Sequence, residues 1–232
     1  VLARGDTTIT SAAVEPEIAD LGRFLNRMGA CIEGLGASTL RIRGVEQLGG
    51  ADYRVIPDRI EAATLLLAGA ITQGRVAVAG VEPDHLTSVL DQLDAAGFQL
   101  DVDSDRIALA SHGPARPRDI VARPYPGMPT DLQAQWTALL ALAPGTSRVV
   151  DTVFPQRFQH LAELQRLGAD VRLEGESAVI RGAGVLAGAP VRATDLRAGA
   201  ALVLAGLAAK GQTIVSGLSH LDRGYEALDA RL

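Results

Sequence analysis

The stretch "VRATDLRAGAALVLAG", residues 191–206, decides how the chain is read, because it occurs twice more in altered form: as "VIPDRIEAATLLLAGA" at 55–70 and as "GMPTDLQAQWTALLAL" at 127–142. Ile60, Leu132 and Leu196 fall at one position of the repeat, and Ala62, Ala134 and Ala198 at another. The period is roughly seventy residues, long enough for a complete supersecondary unit. Two further matches keep the same phase. "LRIRGVEQLGGADYRV" (40–55) returns as "AVIRGAGVLAGAPVRA" (178–193). A short helical segment ends at Gly29, Gly97 or Gly168 in "FLNRMGA", "LDAAGFQL" and "ELQRLGAD". Glycine suits that place because a helix commonly closes on a left-handed residue.

Each period predicts the same elements. A small-residue helix leads into a turn ("TQG", "AKGQ"), a short strand ("RVAVAG", "SRVVDT", "TIVSG") and an amphipathic helix with Leu161, Leu164 and Leu167 at helical spacing. Strands with β-branched alternation follow ("ADVRLEG", "SAVIRG"). "EAATLLLAGAI" has almost no polar face and "AGAALVLAGLAA" has none. A helix apolar all round is expected to be buried all round, with the sheets outside it. The expected fold is therefore α/β: an inside-out α/β barrel of repeated β-α-β-α-β-β units.

Composition narrows the function classes. With 47% hydrophobic residues the 232-residue chain can build a large core, and its net charge of −5 argues against a nucleic-acid partner. The longest apolar run, 198–209, stops at Lys210, short of the ~18 residues a membrane span needs. A lone cysteine excludes an internal disulfide framework and favours a reducing compartment, so the expected location is cytoplasmic, with no signal peptide. His85, His112, His160 and His220 lack metal-ligand spacing, so no metal is expected. Ser216, His220 and Asp222 lie close along the chain, which does not make a triad. "GAGVLA" (182–187) leads into no helix and is read as a turn rather than a nucleotide fingerprint. The repeat phase makes the chain start and stop mid-unit, from Val1 onward, as a piece of a longer protein would.

"EPEIADLGRFLNRMGA", "YRVIPDRIEAAT", "MPTDLQAQ", "ATDLRAGAALVLAG" and "HLDRGYE" together resemble the UDP-N-acetylglucosamine 1-carboxyvinyltransferase family, enolpyruvyl transferases that open peptidoglycan precursor synthesis. "PTDLQAQ" with "DRGYE" separates this family from the sibling acting on shikimate 3-phosphate. The resemblance implies a two-domain protein with three repeats per domain and the active site between them. Residues 1–57 would be the last unit of the first domain, and 58–232 most of the second without its C-terminal strands. It also implies the substrates phosphoenolpyruvate and UDP-N-acetylglucosamine, and no cofactor. The family's Lys-Asn pair and its reactive-cysteine loop have no match here, and Cys31 is not that cysteine, so the 232 residues alone are expected to be inactive. A related transferase using another hydroxyl acceptor, and a non-catalytic scaffold or binding homologue, are the alternatives.

On the residues alone, Asp131 in "MPTDLQAQ" is a helix cap or first-turn residue, and Asp195 in "ATDL" has the same reading. The resemblance makes Asp131 the carboxylate that contacts the sugar hydroxyl, a role that first-turn amides and the helix dipole would favour by keeping it ionised. The resemblance assigns Arg197 and Arg223 to the phosphate-bearing substrate. It assigns Val153, Phe154 and Arg157 to the wall of the nucleotide-sugar site, and places Glu15 and Asp58 near the cleft. Arg197 opens an otherwise apolar helix, where a charge needs a partner. Arg197 and Arg223 are expected to converge on one anion.

Overall fold

Three small-residue helices carry the repeated cores: α2 (Arg59–Ile71), α4 (Gln133–Leu140) and α6 (Leu196–Ala208). In the computed structural model, which describes residues 1–232, they pack against one another. All eight residues of α4 are buried, Trp136 completely. α2 buries eleven of its residues, among them Leu66 and Leu67 at 0% exposure. Ala and Gly at the contacts permit this approach. A Cβ on Gly199 would lie 2.9 Å from Leu221 Cγ and 3.1 Å from Ala193 Cβ. Losing one such leucine to alanine costs about 2–5 kcal/mol in a close-packed interior.

The chain divides into two compact units, Val1–Pro57 with Pro124–Pro126, and Asp58–Arg123 with Gly127–Leu232. The first unit holds β1 (Asp6–Thr10), α1 (Pro16–Arg27), β2 (Cys31–Glu33) and β3 (Thr39–Arg43), with the antiparallel order β1-β3-β2. The Asn26 amide joins α1 to β2 by bonding both backbone groups of Ile32 at 2.8 Å. Residues 52–54, which match a strand of the later repeat, form none. Tyr53 instead donates its hydroxyl to the Asp20 carboxylate on α1 at 2.6 Å, and its ring stacks near Phe24.

The second unit continues with α2, β4 (Arg75–Ala79), a 3-10 turn (Pro83–Leu86), α3 (Thr87–Ala95), β5 (Gln99–Val102), β6 (Arg106–Ala110) and β7 (Ile120–Ala122). A second 3-10 turn, Thr130–Leu132, leads into α4, followed by β8 (Gly145–Asp151), α5 (His160–Arg166), β9 (Asp170–Glu174) and β10 (Ser177–Gly182). β11 (Pro190–Arg192), α6, β12 (Ile214–Ser216) and the four-residue helices α7 (Ser219–Asp222) and α8 (Leu228–Arg231) complete it. Its sheets run β4-β6-β5, β7-β8-β10-β9 and β11-β12. The repeat is visible in the register. β7 and β8 pair in parallel, with Ala122 opposite Asp151, as β11 and β12 do, with Arg192 opposite Ser216.

Three helices end alike, as their glycines predict. Gly29, Gly97 and Gly168 all have positive φ, and the next amide reaches back five residues, from Ala30 to Leu25, Phe98 to Leu93 and Ala169 to Leu164.

Two expectations need correction. Leu132 is fully buried but sits in the 3-10 turn before α4 rather than in the helix, and Leu196, the first residue of α6, is only half-buried. Nor is α6 buried all round. Val203 is half-buried and Leu207 exposed, and the sheet accompanying this helix has only two strands, with Ile214 on β12 exposed as well. An apolar sequence shows that a helix can be covered, not how much sheet exists to cover it.

Candidate active site

The site forms where the 3-10 turn before α4, the segment after β8 and the first turn of α6 meet. Asp131 projects from the 3-10 turn. Its Oδ1 accepts a hydrogen bond from Arg157 Nη1 at 2.8 Å and pairs with Arg197 Nε at 3.3 Å. All three side chains are largely covered, Arg197 most and Asp131 least. Burial alone would push the Asp131 carboxyl up. The charge and hydrogen bond of Arg197, with those of Arg157, outweigh it and hold Asp131 below the usual carboxylate range. For Arg197 burial works the other way, favouring loss of its proton, and Asp131 and Tyr225 more than reverse it.

The expected capping role splits cleanly among the aspartates. Asp195 caps α6, its Oδ1 accepting from the amides of Arg197 and Ala198 at 2.8 and 2.9 Å. Asp58 caps α2, accepting from Ile60 and Glu61 at 2.7 and 3.1 Å. Asp131 caps nothing. Pro129 occupies the extended position before the turn, and α4 starts without a side-chain cap. The sequence reading of Asp131 as a cap is therefore overturned, and its first-turn placement holds.

Val153 and Phe154 stand exposed beside this cluster at 44% and 52%, and the Arg157 guanidinium lies 5.8 Å from the Phe154 ring centre. Their loop is shaped by Asp151, a buried carboxylate the sequence reading missed. Its Oδ1 accepts from the amides of Val153 and Phe154 at 2.9 and 2.8 Å, and its Oδ2 from the Thr130 hydroxyl. Thr130 also receives Arg157 Nη1 at 3.4 Å, so one short network ties the Asp131 turn to the 151–157 loop. The only sequence signal for Asp151 was an acid closing an apolar strand, at "SRVVDT". His160 completes the surroundings. It is 2% exposed, and burial pushes its imidazole down to about 4, with the Asp195 charge opposing and the Arg157 charge reinforcing the shift.

Other expected residues make no bond to this cluster. The side chain of Arg223, at the end of α7, is exposed and makes no hydrogen bond or ion pair, whereas that of Arg197 is bound to Asp131 and Tyr225. The two arginines share no protein partner. Glu15 precedes α1 in the first unit and makes no capping bond there. Ser216 Oγ donates to the Val191 carbonyl, which removes it from any triad. No group of three or more His, Cys, Asp or Glu side chains is arranged to hold a metal ion, and no helix is long and apolar enough to cross a membrane.

A family model described as EPSP synthase (3-phosphoshikimate 1-carboxyvinyltransferase) matches residues 1–232. The chain belongs to the EPSP synthase family. Within that family it is 54% identical over 232 residues to the UDP-N-acetylglucosamine 1-carboxyvinyltransferase of Synechocystis sp., covering all of this chain and 53% of the relative. It is also 54% identical to UDP-N-acetylglucosamine 1-carboxyvinyltransferase 2 of Carboxydothermus hydrogenoformans, covering 56% of that protein. The chain thus spans about half the length of the curated relatives it matches. Among solved structures, the enolpyruvyl transferase NikO from Streptomyces tendae superposes with a TM-score of 0.87 at 32% identity, over all of this chain and 55% of that one. EPSP synthase from Acinetobacter baumannii superposes at 0.70 with 22% identity, covering 99% of this chain and 57% of that one, a likeness of fold. The α/β fold of this family member is that of the enolpyruvyl transferases.

Proposed function

We propose that the protein containing this chain transfers the enolpyruvyl group of phosphoenolpyruvate to the 3-hydroxyl of UDP-N-acetylglucosamine, the committed step of peptidoglycan precursor synthesis. The observation that carries this reading is the Arg157–Asp131–Arg197 cluster, set in a sequence 54% identical to relatives named for that reaction. In the proposed chemistry the sugar hydroxyl adds to C2 of phosphoenolpyruvate while C3 gains a proton. Loss of phosphate together with a proton from C3 then leaves the enolpyruvyl ether. Asp131 takes the hydroxyl proton, and Arg197 and Arg223 hold the anionic groups of phosphoenolpyruvate. Arg157, Val153 and Phe154 line the sugar subsite. A guanidinium fork suits phosphate and carboxylate because it donates two parallel hydrogen bonds.

The ion pairs give this proposal a particular form. A carboxylate clamped by two guanidinium groups is a weak base. When substrate anions share the positive charge of Arg197 and Arg157, the Asp131 carboxylate is stabilised less and becomes more basic, so substrate uptake itself activates the base. The family resemblance extends the proposal to architecture: an inside-out barrel with the helices within, in which 1–57 is the last repeat of one domain and 58–232 most of the next. Asp58 and Asp195 then hold the starts of α2 and α6. Both substrates are cytosolic metabolites, which makes the cytoplasm the proposed location.

The family model, described by the name 3-phosphoshikimate 1-carboxyvinyltransferase, favours a second reading, an enolpyruvyl transferase with another acceptor. The deciding experiment follows phosphate release by the full-length protein from phosphoenolpyruvate. Release that needs UDP-N-acetylglucosamine supports the first reading. Release only with a different hydroxyl acceptor supports the second, and none with any acceptor leaves a scaffold. The 232-residue chain by itself should release no phosphate, since groups that do not meet a positioned substrate do not turn it over.

A further inference from the structure

Tyr225 lies in the turn between α7 and α8, 2% exposed, packed with Ala200, Leu221 and Leu228. Its hydroxyl oxygen stands 3.0 Å from Thr64 Oγ1 and 3.5 Å from Arg197 Nη1. Distances alone leave open which oxygen of the Thr64–Tyr225 pair donates, but counting hydrogens settles it. Thr64 has one hydroxyl hydrogen, and it donates to the Ile60 carbonyl at 2.8 Å. Gln135 Nε2 donates to Thr64 Oγ1 at 3.3 Å. The Tyr225 hydrogen therefore points at Thr64, filling that oxygen's second lone pair. The lone pairs of Tyr225 are left facing the Arg197 guanidinium. Each of the three central helices contributes one member to this chain: Thr64 on α2, Gln135 on α4 and Arg197 on α6. The turn carrying Tyr225 is seated tightly, for a Cβ on the adjacent Gly224 would lie 2.7 Å from Leu196 Cδ2 at the start of α6.

We propose that Tyr225 is a positioning residue for Arg197, its hydroxyl locked by Thr64 as an acceptor that aims the guanidinium at the substrate anion. This rests on the proposed function of the site. Arg197 cannot face freely in an apolar helix start. With Asp131 on Nε and Tyr225 on Nη1, its plane is set before any ligand arrives, which removes an ordering cost from binding.

The experiment uses the full-length protein with Tyr225→Phe, Thr64→Val, Thr64→Ser and the Tyr225→Phe/Thr64→Val pair. Tyr225→Phe keeps the ring and its packing. It should raise KM for phosphoenolpyruvate about 3- to 10-fold, the range for an ordinary hydrogen bond and fitting a contact of 3.5 Å, with KM for the nucleotide sugar within about twofold. Thr64→Val should reproduce the effect, the pair should be no worse than either change, and Thr64→Ser should behave as the parent. Equal change in both KM values, or additive losses in the pair, would overturn the proposal. A lowered Tm with phosphoenolpyruvate kinetics intact would overturn it too. The thermal shift produced by inorganic phosphate is read alongside and needs no turnover. A parent that shows the phosphate shift but transfers nothing to UDP-N-acetylglucosamine defeats the functional reading while leaving Tyr225 to be judged by that shift. A parent with no phosphate shift, or a Tyr225→Phe variant with an undiminished one, defeats the positioning role.

Discussion

Thr130-Asp131-Leu132 and Thr194-Asp195-Leu196 are near-identical stretches with opposite outcomes. Asp195 sits in extended backbone, φ −155° and ψ 177°, just before α6, so its carboxylate folds over the first free amides of the helix. Asp131 sits two residues past the cap position of its turn. Pro129 takes the extended position, a 3-10 turn covers Thr130–Leu132, and the Asp131 carboxylate is carried away from the amides it could have capped. A half-buried carboxylate without amides needs cations, and it finds Arg157 and Arg197. The two aspartates are also linked, because the cap made by Asp195 fixes the backbone of Arg197, which pairs with Asp131. Moving the start of the helical turn by two residues is enough to turn a capping acid into one that pairs with cations.

The sharpest test of that contrast is Asp131→Ala against Asp195→Ala in the full-length protein. Asp131→Ala should lower kcat by about 10²–10⁴-fold while the urea midpoint stays close to the parent's. If the variant instead melts early and turns over normally once folded, the distinction between the two aspartates collapses.

His160 gives a test through pH. Its folded value of about 4 lies below its unfolded value of 6.5, so between those limits the unfolded chain takes up a proton that the folded protein refuses. Stability should fall as pH drops from about 6.5 toward 4, by on the order of 2–3 kcal/mol. Urea unfolding at pH 7 and pH 5 should show that loss in the parent and a flatter dependence in His160→Leu. Asp131 differs in its window. Its lowered value means that its ion pairs stabilise above the unfolded carboxylate range, about pH 4, and are lost only as pH falls through the still lower folded value. An Asp131→Asn variant should therefore match the parent in pH slope between 5 and 7.

The smallest effects belong to the caps. Asp195→Ala and Asp58→Ala should each cost about 0.5–2 kcal/mol, and the Ser variants should recover most of it. Equal losses for Asp131→Ala and Asp131→Ser, unrelated to any cap scale, would sharpen the contrast from the other side.

Sequence by itself determined the repeat, the three small-residue helices, their closing glycines and the short strands between them. These depend on local periodicity and on which residues tolerate a left-handed turn, and Gly29, Gly97 and Gly168 carry that information without neighbours. It also brought Asp131, Arg157 and Arg197 forward, through their motifs. What only the tertiary structure decided is how the acids are used. Asp58, Asp131 and Asp195 look interchangeable along the chain. A turn displaced by two residues, and the arrival of Arg157 and Arg197 from later segments, separate them. Asp151, Thr64 and Tyr225 stayed hidden for the same reason. A strand-end acid, a helix threonine and a turn tyrosine have no distinctive spacing, and each acquires its role from hydrogen-bond partners 21 to 161 residues away. Hydrogen bonds are satisfied in space, and burial makes an unmet one costly, so these partnerships come into being only when the chain has folded.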